Sequence, residues 1–355
     1  KKINKIGYGF GFGGAFATNL KYTTGHKNTL NYFCKNNEGN FIDTSINYGN
    51  GDSEKLIGKL DNKIKKSIFI STKVDASNLN FKKFIKSTLK SLKNLNVKKI
   101  DLIQPHWPNY QVPNDDLIRA FKYLKKRGKV RYFGLSNYDL KDIKFFKKKL
   151  GNNFKFVQEE FSVRDRELEK KINFFERNNF KIICYSPLGT GGLVFTNNEK
   201  VLLKKLSKKY KKSFFSIVLN YLLSKSKNII LIPHTTNINH LKDNLDSKNY
   251  KIQKKDLKKL DKCFKTNYIK LKLKEVNFYH KKYTKITSLD DALTNKGNLN
   301  PSPKVLASKL IDGYKVKPIK LKKIKNVYHI KEGRLRYWAH VIAFGWDKKL
   351  EMVVT

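Results

Sequence analysis

Residues 41–74 read FIDTSINYGNGDSEKLIGKLDNKIKKSIFISTKV: two short apolar, β-rich runs separated by a polar, glycine-punctuated loop and a Lys-rich stretch. Each run closes on an ionisable side chain, Asp43 in the first and Lys73 in the second, with Tyr48 in the loop between. Parallel strands need a crossover connection, so a strand, a loop, a helix and a strand in this order read as one unit of a parallel sheet.

The same grammar runs outward from this stretch, from residue 1 to about 265. Strands are expected at 5–9, 40–43, 68–73, 100–104, 130–135, 154–158, 182–185 and 229–232. Between them, 81–95 sets Phe84, Ile85, Thr88, Leu89 and Leu92 on one helical face, and 115–126 does the same with Leu117, Ala120, Phe121 and Leu124. Eight parallel strands joined by such helices predict an α/β fold, a (β/α)8 TIM barrel. The C-terminal strand ends of a barrel converge on one mouth. Asp43, Tyr48, Lys73 and His106, which follows the fourth strand in DLIQPHWPN (101–109), are therefore expected to meet.

The competing architecture is a doubly wound sheet, because 9–14 contain G-x-G-x-x-G. No convincing helical period starts at the last glycine, and no acidic residue follows at ribose-binding distance. These glycines are read as a close-packed opening to the barrel.

Composition narrows the function. Net charge is +47, which suggests polyanions, yet only eight of the 76 basic residues are Arg, the side chain whose fork suits phosphate. The charge is read as solvated Lys on helix faces, with nucleic acid not expected as a partner. Three cysteines without a C-x-x-C pair argue against disulfides and a metal site and for a reducing, cytoplasmic setting. No run is long enough to span a membrane, and five glycines among the first residues spoil the signal-peptide look of Lys1, Lys2, Lys5 and the A-x-A at 15–17.

The strings DTSINYGNGDSEKLIG, ISTK, HWP, GLSNY, VQEEFS, YSPLGTGGL and IPHTTNINHLKDN stand in the order and spacing of aldo-keto reductases, so residues 3–265 resemble that family. The resemblance implies a reductase that turns an aldehyde or ketone, sugar derivatives included, into an alcohol, with NADP(H) favoured and NAD(H) open. It implies Tyr48 as proton donor with a pKa lowered by Lys73, Asp43 holding Lys73, and His106 on the substrate oxygen. It implies cofactor contacts from Ser136, Asn137 and Gln158 to the carboxamide, Tyr185 stacked on the nicotinamide, and Ser186, Leu188 and the turn at 189–192 beside the pyrophosphate. Thr235, Thr236, Asn237, His240 and Asn244 would take the adenosine end, with His234 and His240 departing from the family's usual residues. A non-catalytic barrel that senses nicotinamide redox state is the alternative in another class.

Beyond residue 267 the grammar changes. Residues 268–285 read as a linker and 286–355 as a separate α+β domain, the end of it reading strand, turn, strand, helix, strand. EGRLRYWA (332–339) resembles the signature of ParB-like domains, the superfamily that includes sulfiredoxin. By that resemblance Glu332, Gly333, Arg334 and Arg336 would form a phosphate- or nucleotide-recognition site. A nucleotide- or nucleic-acid-binding protein acting through this tail is the third reading.

Overall fold

The computed structural model describes residues 3–11, 22–35, 40–189, 192–278 and 286–354. The last glycines of the 9–14 motif, the A-x-A at 15–17, part of the 189–192 turn and the end of the expected linker lie outside the described residues. The chain forms two compact units: Lys1–Trp107, Asn114–Asn137 and Phe146–Lys265 make the first, and Pro108–Pro113, Tyr138–Phe145 and Thr266–Thr355 the second.

The first unit is an eight-stranded parallel sheet in sequence order: β1 (Tyr8–Gly9), β2 (Phe41–Asp43), β3 (Phe69–Val74), β4 (Ile100–Pro105), β5 (Val130–Ser136), β6 (Phe154–Glu160), β7 (Lys181–Tyr185) and β8 (Ile229–Leu231). It closes on itself through a parallel bridge between Ile6 and Leu231, where Gly7 N donates to Leu231 O at 2.8 Å. Glycine is required here, since a Cβ on Gly7 would lie 2.8 Å from the Phe41 ring and one on Gly9 2.6 Å from Ile232 O.

Strand alternation sorts the barrel interior into layers. Phe41, Phe69, Leu102, Phe156, Ile183 and Ile230 form a buried apolar cluster. Two residues further along the same strands come Asp43, Ser71, Gln104 and Gln158, all at most 2% exposed. The next step of two brings Lys73 and His106 to the mouth.

The helices follow their sequence cues. Phe81–Leu95 starts where the Asn80 side chain accepts from Lys83 N at 2.9 Å and ends at Asn96 in the left-handed region (φ 48°). Burial of Phe84, Leu92 and Leu95 contributes about 2 kcal/mol each. Leu89, expected on that inner face, is 46% exposed, because it stands at the edge of the apolar stripe. Among the described residues no helix is long and apolar enough to cross a membrane.

The second unit carries a five-stranded mixed sheet in the order β10-β12-β11-β13-β9, from β9 (Asn267–Lys272), β10 (Val276–Phe278), β11 (Lys320–Ile324), β12 (Val327–Glu332) and β13 (Lys349–Val354). The tail thus follows its expected order, with helix Arg334–Phe344 between β12 and β13. The stretch expected to link from residue 268 instead supplies two strands. β9 pairs antiparallel with β13 from Lys349↔Lys272 to Val354↔Asn267. The alternation of Ile269 and Leu271 with Lys270 and Lys272 is the strand period, masked by the lysines. Helix Pro303–Ile311, begun by Ser302 accepting from Val305 N, packs Leu306, Ala307 and Leu310 against Ala339.

Candidate active site

The site grows from the end of the polar layer. Lys73 Nζ donates to Asp43 Oδ2 at 2.5 Å and to Thr44 O at 2.8 Å, with Lys73 1% and Asp43 2% exposed. Asp43 also accepts from Ser71 Oγ at 2.9 Å and Gln158 Nε2 at 3.1 Å, and Gln158 Oε1 accepts from Gln104 Nε2 at 2.8 Å. A buried ion pair costs desolvation unless its remaining valences are hydrogen-bonded, and this network does that for the carboxylate. Gly134 belongs to it by omission: a Cβ there would lie 2.8 Å from Gln104 Oε1.

Tyr48 enters on a turn that few residue types could form. Gly49, Asn50 and Gly51 all have positive φ (58°, 52° and 92°), the region glycine and asparagine tolerate. The turn is tied down where Thr44 Oγ1 donates to Ser53 Oγ at 2.6 Å, and the buried Glu54 accepts from Thr72 Oγ1 at 2.7 Å and Asn94 Nδ2 at 2.9 Å. The Tyr48 ring then lies with its centroid 5.2 Å from Lys73 Nζ and 5.6 Å from the His106 ring, edge-on at 79°. At Gly11 a Cβ would come within 2.7 Å of the phenol oxygen, so glycine there keeps the hydroxyl clear.

The electrostatics correct one expectation. Lys73 was expected to lower the Tyr48 pKa; instead burial, with the Asp43 charge adding to it, pushes the phenol above its ordinary value. Loss of water is the largest cause and decides the sign. The phenol therefore keeps its proton. Burial also lowers the Lys73 ammonium, against the opposing pull of Asp43. Burial, then the Lys73 charge, drives the His106 imidazole well below its usual value and holds it neutral. His106 Nδ1 lies 3.3 Å from Ser45 Oγ, and its backbone N donates to Val74 O at 2.8 Å.

Beside these four, Asn137 (φ 65°) donates from Nδ2 to His106 O at 3.2 Å and to Ser136 Oγ at 3.0 Å, and accepts from the Tyr185 hydroxyl at 2.8 Å. Asp43, Tyr48, Lys73, His106, Ser136, Asn137, Gln158 and Tyr185 thus form one group. Ser186, Leu188, Thr235, Thr236, Asn237, His240 and Asn244 stand on the segments after β7 and β8. Ser186 (φ 50°) opens a turn in which its carbonyl accepts from Gly189 N at 2.9 Å. Asn237 caps helix Ile238–Asp246 by accepting from Asn239 N at 2.8 Å and His240 N at 3.3 Å. His240 is exposed on that first turn, whereas Asn244 is buried.

In the second unit Gly333 (φ 102°) leads into helix Arg334–Phe344. Arg336 donates to the carbonyls of Lys317 and Pro318, each at 2.8 Å, and to Glu332 at 3.1 Å, which makes it a strap across the approach to β11. Burial would raise the Glu332 carboxyl, but Lys320 and Arg336 outweigh it and hold it below the usual range. Arg334 is half-buried, and its Nε has no hydrogen-bond partner among the described residues.

The sequence reading missed Ser71, Gln104 and Ser45. The first two stand two residues before Lys73 and His106, and strand period alone would have marked them. Ser45 carries no such signal, because its place depends on how the Tyr48 turn folds back.

The profile of the Aldo/keto reductase family matches residues 6–265. The chain is 24% identical over 226 residues to methylglyoxal reductase YeaE of Escherichia coli (strain K12), an alignment covering 63% of this chain and 79% of that one. The crystal structure of the thermostable aldo-keto reductase Tm1743 with epalrestat matches with a TM-score of 0.65 and 26% identity, over 74% of this chain and 96% of that one. An aldo-keto reductase from Klebsiella pneumoniae in complex with NADPH matches in fold with a TM-score of 0.65 and 18% identity, over 74% and 91%.

Proposed function

The chain belongs to the aldo/keto reductase family, and from that premise we propose that it uses NADPH to reduce small reactive carbonyls, methylglyoxal-like dicarbonyls among them, at the site made by Asp43, Tyr48, Lys73 and His106. The observation that carries this reading is the buried Lys73–Asp43 pair under the Tyr48 ring, with a neutral His106 edge-on to it.

The residues present suit a nicotinamide cofactor. Ser136 and Asn137 offer hydroxyl and amide groups for a carboxamide, and Tyr185 offers a flat ring whose hydroxyl is already anchored. The capped start of helix Ile238–Asp246, with Thr236 and His240 exposed on it, suits the adenosine phosphates. When bound, the dihydronicotinamide supplies the hydride. The protein's task is then the charge that develops on the carbonyl oxygen. Tyr48, held protonated by burial, donates to that oxygen. Lys73 is the fixed cation that stabilises the phenoxide left behind, and Asp43 keeps Lys73 charged and oriented. His106 Nδ1 lies within reach of the Ser45 hydroxyl, and in the tautomer that accepts from it the proton sits on Nε2, placed to hydrogen-bond the same oxygen.

Purified protein is expected to consume NADPH in the presence of methylglyoxal, and NADPH more efficiently than NADH. Because His106 is neutral well below pH 6.5, kcat should show no inflection near that pH. The absorbance of the dihydronicotinamide, followed from pH 5.5 to 8, checks both. Absence of turnover with a set of small aldehydes and dicarbonyls would refute the reductase reading.

The C-terminal unit, on this reading, is a ParB-like phosphate-recognition module appended to a barrel that ends near residue 267. The positive-φ Gly333 turn at a helix start and the half-buried Arg334 support it, while Arg336 serves structure. Calorimetric titration of the full chain with nucleoside triphosphates is expected to give binding that Arg334→Ala abolishes. Equal heats from both proteins would remove Arg334 from the site.

A further inference from the structure

Two short segments of the barrel sequence belong to the second compact unit: Pro108–Pro113, which begins two residues after His106, and Tyr138–Phe145, which begins directly after Asn137. Within that unit they meet the segment 306–315. Tyr110 packs edge-on against Tyr314, centroids 5.5 Å apart at 68°, and beside the apolar cluster of Leu306, Ala307, Leu310 and Ala339. The ammonium of Lys309 lies 5.9 Å from the Tyr110 ring centroid and 5.1 Å from that of Tyr314. From the other segment, Lys141 donates to Asp312 O at 3.0 Å and sits 5.1 Å from the Tyr314 centroid, and Asp139 Oδ2 accepts from Lys315 N at 3.3 Å. Tyr314 is the joint of this cluster, since both segments reach it.

We infer that the C-terminal unit is a specificity element of the reductase: through Tyr314 and Lys141 it holds the loop that follows His106 in one conformation, and so selects which carbonyl substrates are taken. The inference rests on the reductase reading. The loop is short and begins beside a residue assigned to the substrate oxygen, and a small displacement of positioning groups costs large factors in rate. Left alone, a six-residue loop of mixed polarity would sample many conformations. The contact of Tyr110 with Tyr314 and the cluster and the Lys309 cation over both rings restrict it, while the two hydrogen bonds from Asp139 and Lys141 fix the 312–315 segment that presents Tyr314. Tyr314 and Lys141 are positioning residues: they act through the loop, and their removal should change KM for substrates that touch it more than kcat for those that do not.

The test uses the full chain with Tyr314→Ala and Lys141→Ala. Hydrogen–deuterium exchange of peptides covering 108–113 is measured alongside KM and kcat for methylglyoxal and for the bulkier 4-nitrobenzaldehyde, with the NADPH Kd as the check on the barrel. The expected result is exchange at 108–113 faster by about fivefold or more, with a shift of similar size in the ratio of the two KM values and an unchanged NADPH Kd. Unchanged exchange, or faster exchange with an unchanged KM ratio, would overturn the inference. Should Tyr314→Ala lose NADPH binding, Lys141→Ala carries the same test with a smaller deletion. A wild-type chain that reduced no carbonyl would refute the reductase reading instead, and the exchange rates would then decide the loop restraint by themselves.

Discussion

Tyr48→Phe is expected to lower kcat for carbonyl reduction by about 10²- to 10⁴-fold, the usual worth of a positioned general acid, while the NADPH Kd stays within about threefold. Its ring contacts with Lys73 and His106 survive the substitution, so thermal stability should change by no more than about 1 kcal/mol. The loss is specific to the proton. With the phenol gone, the nearest cation is Lys73, whose ammonium is already engaged by Asp43 and Thr44 O. Steady-state kinetics beside fluorescence titration of NADPH would check it, and near-normal turnover in the variant would take the proton-donor role from Tyr48.

Lys73→Met should lose both activity and stability. It leaves the Asp43 carboxylate buried at 2% exposure without its counter-ion, and breaking one side of a buried pair typically costs about 3–5 kcal/mol. For a domain of this size that is a fall in Tm of roughly 10 °C. The double variant Lys73→Met/Asp43→Asn removes the stranded charge and should recover part of the Tm, because Asn can still accept from Ser71. Turnover should not return with it, as no cation then remains to stabilise the phenoxide. Thermal melts and NADPH consumption on the three proteins would separate the two effects. Recovery of activity along with stability would show that Lys73 serves only the fold.

Much of this was legible along the chain because it is local. The period of two in 41–43 and 68–73 and the helical period of 81–95 are consequences of backbone geometry, and the structure keeps seven of the eight expected strands within a residue or two; only the first is much shorter. Asp43, Lys73 and His106 at successive strand ends had to meet once the barrel closed. The β9 and β10 strands were not legible, because their partners β13 and β12 lie about 50 to 90 residues away and the lysines of β9 hide its alternation.

That Asp43, Lys73 and His106 stand at one mouth followed from the order of the strand ends, while the roles proposed for them and for Tyr48 came with the family resemblance. The sign of the Tyr48 shift, the Gln104–Gln158 support under Asp43 and the meeting of Tyr110 with Tyr314 came only with the folded chain. Each depends on how much water is lost at a point and on which distant groups arrive there, and a linear sequence specifies neither until its segments are packed together.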